Sequence, residues 1–560
     1  MNKQFSSLKR KKKGRVVMLK FSPVLAAVET SASAYIAIPL LVCFFALIIG
    51  IGVYCRKQAT SVDGFVLGGR AVGPWLTAFS FGTSYFSAVI FVGYAGQFGW
   101  NFGLSSTWIG LGNAFIGSLL AWAVLGRRTR VMTQHLESKT MPDFFEKRYD
   151  SKRIKVIASL IVFIFLVPYT ASLYNGLSSL FNNVFSIPYP IVVLIMAVLT
   201  GIYVTFGGYM ATAISDFVQG IIMLAGIIAV VVAVVNQNGG LMEAVNTLSV
   251  TENAGPAYVS LLGPNPLALF FVVMLTSLGT WGLPQMVGKF YSIKDEGSIK
   301  KGTIISTVFA VIVAGGCYFL GGFGKLYQNQ MAQGGYFNAE TGAVMFDKVV
   351  PTMLSELAPF IVALTIVLVL SASMSTLSAL VLTSSSTLVL DVVNPFIQKK
   401  KAVSEKRSVF VMRLFVIFFI AVSAVIAILK DTLWSDSVFI AQMMGVSWGA
   451  LAGAFLAPFL YGLYWKKTTR ASVYASFAFG AGLEVIQLFI SVGWISVKGT
   501  PVLDFVFTNS LYSGVFAMVG GLILVPVISL FTQKSRPVSV ENTFSCYDKT
   551  VITDAKTSLG

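Results

Sequence analysis

Hydroxyl groups, rather than acids, bases or thiols, are the chemically able residues inside this chain. The run Ser371-Ala372-Ser373-Met374-Ser375-Thr376-Leu377-Ser378-Ala379, continued by Thr383-Ser384-Ser385-Ser386-Thr387, lies in an apolar stretch. At helical spacing, positions 372, 375, 376, 379 and 383 share one face, so Ser375, Thr376 and Thr383 place their hydroxyls in a stripe. Serine and threonine in such helices often just bond the carbonyl four residues back. A stripe of them is also an oxygen surface suited to Na+, a hard cation served by hydroxyl and carbonyl oxygens without a costly buried carboxylate. Other chemistry has little to work with. There is one histidine, His135, and the four cysteines (Cys43, Cys55, Cys317, Cys546) lie far apart. A zinc site, a thiol redox centre and a disulfide framework are therefore not expected, and the lone His135 argues against a membrane enzyme.

Two further segments would interrupt the helices that carry them. Thr276-Ser277-Leu278-Gly279-Thr280-Trp281-Gly282-Leu283-Pro284-Gln285 puts two glycines and a proline within six residues, enough to break intrahelical hydrogen bonds. Ser80-Phe81-Gly82-Thr83-Ser84-Tyr85-Phe86-Ser87 is a small and polar stretch inside another apolar span. Each alone reads as a helix-packing surface. Irregular backbone at membrane depth is otherwise tolerated only where it lines a cavity or is buried in protein.

The elements that must position these residues are set by composition. Of 560 residues, 56% are hydrophobic and 11% charged, with a mean hydropathy of +0.78. A soluble domain carries about 25% charge, so a polytopic membrane protein is expected. Apolar stretches of about 20 residues, the length that crosses a bilayer, predict 13 spans near 34–55, 72–98, 106–126, 156–182, 190–207, 215–236, 266–288, 303–324, 357–390, 408–429, 436–463, 471–492 and 509–532. Spans 2–6 and 7–11 are two sets of five that enter the membrane from opposite sides, and each set opens with an interrupted helix. That pairing points to a transporter of inverted repeats with its sites at the midplane.

Loops on one side hold 28 Lys and Arg and those on the other hold four. The positive-inside rule then makes the C-terminus cytoplasmic and the N-terminus external. The segment Lys9-Arg10-Lys11-Lys12-Lys13-Gly14-Arg15 disagrees; translation from Met18 would remove it and lower the net charge from +18 to +11. The ionisable residues within or at the edges of spans are Asp216, Asp391, Arg413, Asp436 and Glu484. Asp216, Asp391 and Asp436 sit near span ends where water is expected to reach them. Glu484 is the one mid-span acid and lies outside both sets of five, which favours sodium over proton coupling.

In order along the chain come Leu67-Gly68-Gly69-Arg70, Thr140-Met141-Pro142-Asp143-Phe144-Phe145-Glu146-Lys147-Arg148-Tyr149, and Phe206-Gly207-Gly208-Tyr209 with Ser215-Asp216-Phe217-Val218-Gln219. The break at Gly282-Leu283-Pro284-Gln285 and then Met374-Ser375-Thr376-Leu377 complete the set. From about 34 to 532 the chain resembles the sodium:solute symporter family. The resemblance implies an all-α polytopic membrane protein with the five-plus-five inverted-repeat (leucine-transporter-type) fold and an external N-terminus. It also implies a main sodium site made by the backbone carbonyls of Thr83 and Phe86, the Ala372 carbonyl, and the hydroxyls of Ser375 and Thr376. Members with two sodium ions use positions matching Asp216, Ser375, Ser378 and the next residue. Here that residue is Ala379, which supplies no hydroxyl; Asp216 and Ser378 are thus candidates for a second sodium site or an exit path. The substrate cavity is expected between the broken helices and span 4, with Ser84, Tyr85, Ser87, Tyr169, Thr276, Thr280 and Trp281 as candidates. Pro168-Tyr169 matches a position where proline-carrying members also have Tyr. Those members carry an acid where Tyr85 stands and bulky aromatics where Thr276 and Thr280 stand, so the solute is left open.

The expected organisation is a basic tail (1–33), a peripheral first helix (34–55), repeat one (72–236), repeat two (266–463), two added helices (471–532) and a polar, disordered cytoplasmic tail (533–560). The expected function is Na+-coupled uptake of a small organic solute, an amino acid or monocarboxylate, across the plasma membrane. The alternative is a proton-coupled or pantothenate-like vitamin symporter of the same fold. The partners expected are the solute, Na+ as co-transported ion, and membrane lipid, with no nucleic acid and no obligate protein partner. A channel would need a continuous polar stripe through several spans, and a sensor would need an attached signalling domain.

Overall fold

The computed structural model describes residues 32–185, 187–251, 255–338, 342–398, 404–433, 440–497 and 499–548. The basic N-terminal run with Met18, and Asp436, lie outside the described residues.

Among the described residues the chain is helical apart from turns and isolated bridges. Ten helices are long and apolar enough to cross a membrane, or eleven if the bent pair Pro266–Gly282 and Pro284–Tyr291 is taken as one span. That count does not reproduce the 13 expected spans, for two reasons. Span 2 is broken, and its first half, Pro74–Tyr85, is only 12 residues long. Two helical stretches, Val89–His135 and Tyr189–Gln237, each run over two expected spans. Tyr189–Gln237 is interrupted at Gly208, with φ 56° and ψ −153°, and Val89–His135 contains Gly103 at φ 61°. Both glycines hold left-handed backbone that a Cβ disfavours, so each stretch is physically two helices joined at a glycine.

Two helices form the centre. Pro359–Leu388, which carries the serine-rich stripe, packs against Tyr189–Gln237, Lys152–Phe185, Ala32–Cys55 and the half-helix Pro74–Tyr85. Ile440–Tyr464 packs against Arg470–Ser491, Ser510–Phe531 and the break of span 7. The most apolar windows of these two spans are 83% and 94% buried, against 39% in Tyr189–Gln237 and 33% in Glu405–Leu429. The outer helices expose Leu194, Val198, Ile228, Phe410, Ile417 and Phe418, side chains suited to hydrocarbon rather than water.

On the Lys/Arg-rich side, the Thr140–Tyr149 motif is a structural hub. Thr140 caps the helix Met141–Tyr149 by accepting from the Asp143 N–H, and its hydroxyl donates to Asp391 at 2.6 Å. Lys155 joins Asp143 and Glu146 at 2.8 Å each and Asp391 at 3.5 Å. Burial alone would raise the Asp143 carboxyl, but Lys155 and Lys147 hold it below the usual aspartate value. Asp391, expected to meet water, is buried and satisfied by this network. Arg148 donates to the carbonyls of Gly462 and Trp465, which fixes the end of Ile440–Tyr464.

Residues 533–548 of the tail, expected to be disordered, fold back onto this hub. Val540, Phe544 and Cys546 are buried, Tyr547 donates to the Arg128 carbonyl at 3.1 Å, and His135 Nε2 lies 3.0 Å from the Asn542 carbonyl. Charge content made this segment read as solvated, yet an apolar edge of Val540, Phe544 and Tyr547 lets it dock.

Gly282 is needed where the second break meets Ile440–Tyr464. A Cβ there would lie 2.8 Å from the Ala452 Cα and 2.9 Å from the Leu456 N, both backbone atoms that cannot swing away. Gly282→Ala is expected to cost about 1–3 kcal/mol as overpacking, lowering the apparent melting temperature of the purified protein. Unchanged melting would show that these helices are free to separate.

Candidate functional site

Both broken helices fail in the same way. Pro74–Tyr85 ends at Phe86, whose φ −87° and ψ 123° are extended. The second break runs through a 3-10 turn, Gly279–Gly282, to Leu283 at φ −83° and ψ 119°, and the halves bend by 46°. Leu283 precedes Pro284, which disfavours helical backbone at the residue before it. A helix end leaves its last carbonyls without helical partners, so each break presents free oxygens inside the protein.

At the first break these oxygens meet the serine-rich helix. Thr376 Oγ1 lies 3.2 Å from the Thr83 carbonyl, 3.2 Å from that of Phe86 and 3.1 Å from that of Ala372. Ser375 Oγ lies 3.2 Å from the Thr83 carbonyl and 3.1 Å from that of Ala372. Three carbonyls thus converge on two hydroxyls, and two protons cannot satisfy five such contacts at once. A cluster rich in lone pairs and poor in protons is chemically fitted to a hard cation. All five residues are buried. The structure brings together every residue expected to form the main sodium site.

The other sodium candidates behave differently. Asp216, in Tyr189–Gln237, is fully buried rather than reached by water. Its Oδ2 accepts from Ser80 Oγ at 2.5 Å and lies 3.6 Å from Lys289 Nζ. Lys289 also donates to Ser80 Oγ at 2.6 Å and sits over the Tyr209 ring at 5.3 Å. Ser378 donates to the Ser375 carbonyl at 2.9 Å. Lys289 was missed at the sequence level because the lysine-rich stretch 289–302 reads as a loop; in fact Pro284–Tyr291 is a helix that buries it.

The substrate candidates divide. Tyr85, Ser87 and Tyr169 come together beside Trp448 of Ile440–Tyr464: the Trp448 ring centroid is 5.8 Å from Tyr85 and 6.0 Å from Tyr169. The Tyr85 hydroxyl is buried without a hydrogen bond, while the Tyr169 hydroxyl faces the Ser87 hydroxyl and the Trp448 N–H. Thr280 lines a small cavity with Tyr85, Asn113, Gly117 and Ser118. Ser84 and Thr276 turn inward on their own helices, donating to the Ser80 and Val272 carbonyls. Trp281 gives its N–H to the Ile116 carbonyl at 3.0 Å and so ties the break to its neighbour. Trp448 was not foreseen; a lone tryptophan in mid-span between Ser447 and Gly449 was the available signal. Ser447 donates to the Phe165 carbonyl, which sets the height of Trp448 against the helix carrying Tyr169.

Two broken helices five spans apart, the first of which meets the serine-rich helix in a buried oxygen cluster, define a secondary transporter of the five-plus-five, leucine-transporter type. The solved structure of a Na+-coupled sialic acid symporter in its substrate-bound outward-open state shares this fold, with a TM-score of 0.69 at 18% identity over 89% of this chain and 97% of that one. The profile of the sodium:solute symporter family matches residues 65–480, and the chain belongs to that family. It is a transporter rather than an enzyme, with Na+ as its co-transported ion. Relatives include the osmoregulated proline transporter OpuE of Bacillus subtilis, 28% identical over 90% of this chain and 97% of its own length. A sodium/proline symporter of Staphylococcus aureus is 29% identical over 90% of this chain and 94% of its own.

Proposed function

We propose that this chain takes up a small zwitterionic amino acid together with Na+ across the plasma membrane, with its Lys/Arg-rich face cytoplasmic and its N-terminus outside. The observation that carries the sodium assignment is Thr376 Oγ1, within 3.2 Å of three main-chain carbonyls from two helices. Na+ bound there would join the break of span 2 to the serine-rich helix and hold the two together while solute is captured. One positive charge moving inward through 100 mV supplies about 2.3 kcal/mol, enough to concentrate a neutral solute. Release would follow rocking of one repeat (72–236) against the other (266–463).

The candidate residues grouped around Tyr85 support the solute class. Tyr85, Ser87, Tyr169, Trp448, Asn113 and Thr280 offer hydrogen bonds and aromatic faces but no net charge. A zwitterion fits such a lining better than a monocarboxylate, whose charge would lack a fixed counter-ion. The proline transporters among the relatives make L-proline the first solute to test.

The purified protein in proteoliposomes should accumulate a radiolabelled amino acid, L-proline first and the other neutral amino acids after it, under an inward Na+ gradient and not under choline. Equal uptake in both would defeat sodium coupling. Na+-driven uptake of lactate or pantothenate, with none of the amino acids, would replace the solute class and leave the sodium site standing.

A further inference from the structure

Asp216 is a carboxylate buried at membrane depth beside the helix that carries the sodium cluster, and such a charge needs a counter-ion. The structure already contains one. Lys289 and Asp216 side chains are 4% and 0% exposed, with Nζ 3.6 Å from Oδ2. Ser80 bridges them, donating to Asp216 at 2.5 Å and accepting from Lys289 at 2.6 Å. Tyr209 covers the ammonium from one side. Of the oxygens that a second Na+ would need, position 379 offers none, being alanine, and Asp216 Oδ2 is already taken by Ser80 and Lys289, which leaves only Asp216 Oδ1 without a hydrogen bond. Lys289 and Ala379 line the same cavity, which runs past Gln285 and Thr383 to Lys139 and Thr140 on the basic side.

We infer that the Lys289 ammonium is a tethered cation that takes the place of a second Na+ at Asp216, so each transport cycle carries a single Na+. The inference rests on the sodium assignment proposed above. Lysine compensates the carboxylate permanently, whereas an ion would leave with the solute; the charge moved per cycle is therefore fixed by residue 289. The triad also spans three elements, Ser80 on the first half-helix, Asp216 on Tyr189–Gln237 and Lys289 on the second half of the other broken helix. Exchanging ammonium for a mobile ion would change coupling without touching Thr83, Phe86, Ala372, Ser375 or Thr376.

The test is equilibrium binding of 22Na+ to the purified, unaltered chain, without solute, by scintillation proximity. One site with a hyperbolic isotherm is expected, and Lys289→Arg should keep it. The double variant Lys289→Met with Ala379→Ser should acquire a second Na+ and a sigmoidal isotherm. Two sites or a sigmoidal isotherm in the unaltered chain would overturn the inference while leaving sodium symport intact. No saturable binding in the unaltered chain would remove the sodium assignment and the inference with it. Because the decisive measurement is on the unaltered chain, misfolding of the double variant would not protect the proposal.

Discussion

Replacing Thr376 with valine is expected to weaken activation of uptake by Na+ about ten- to a hundredfold while expression stays near that of the unaltered chain. Valine keeps the branched shape, so packing between the serine-rich helix and the first break is preserved. What is lost is the one side-chain oxygen that touches the carbonyls of Thr83, Phe86 and Ala372 together. A hydrogen-bond-strength contact to a charged group is worth about 1.5–3 kcal/mol, and each 1.4 kcal/mol is about tenfold in affinity. Without Na+ the same change removes one neutral hydrogen bond, worth about 1 kcal/mol, so folding should suffer less than transport. Thr376→Ser retains the oxygen and should bind Na+ nearly as well. Ser375→Ala should fall between, because Ser375 Oγ reaches two of the three carbonyls. Uptake by Thr376→Val that is normal at low Na+ would show that the ion is held elsewhere.

The sodium cluster was legible in the sequence for a definite reason. Its carbonyls come from a backbone break, and breaks are written locally, in the small residues of 80–87 and the Gly and Pro of 279–284. Its hydroxyls sit at helical spacing on one face, which is also local. What could not be read is which faces meet. Ser84 and Thr276 look as available as Ser375, yet each meets only the carbonyl four residues back, whereas Ser375 also reaches the Thr83 carbonyl of the first break. Trp448 is more than 270 residues from Tyr169 in sequence and reaches it only through packing of two helices. Lys289 was hidden by its company: beside Lys294, Lys300 and Lys301 it reads as one more loop charge, and only the length of Pro284–Tyr291 shows that it points inward. The number of spans depends on the same kind of detail, since an apolar stretch does not reveal whether a glycine such as Gly208 ends a helix or joins two.

The aromatic wall carries the second large effect. Trp448 is 1% exposed and is shared by Tyr85 on the first broken helix and Tyr169 beside Pro168 on its neighbour, tilted by 33° to one ring and nearly perpendicular, at 86°, to the other. Trp448→Ala would leave a cavity costing about 3–5 kcal/mol and let both tyrosines relax into it, so solute uptake should fall by about a hundredfold or more. Part of that loss would be stability, which is why the informative variant is Trp448→Phe. Phenylalanine keeps ring contacts of the kind worth about 0.5–1.5 kcal/mol, gives up the bulk of the second ring, and removes the indole N–H, which faces the Tyr169 hydroxyl. If that donor holds the solute, Trp448→Phe should raise the KM for the transported amino acid about tenfold, with the maximal rate and the Na+ concentration for half-activation little changed. Loss of Na+ activation in step with KM would mean that Trp448 acts through the break and the sodium cluster. An unchanged KM in Trp448→Phe, together with retained uptake in Trp448→Ala, would move the solute to the Thr280 and Asn113 side of Tyr85.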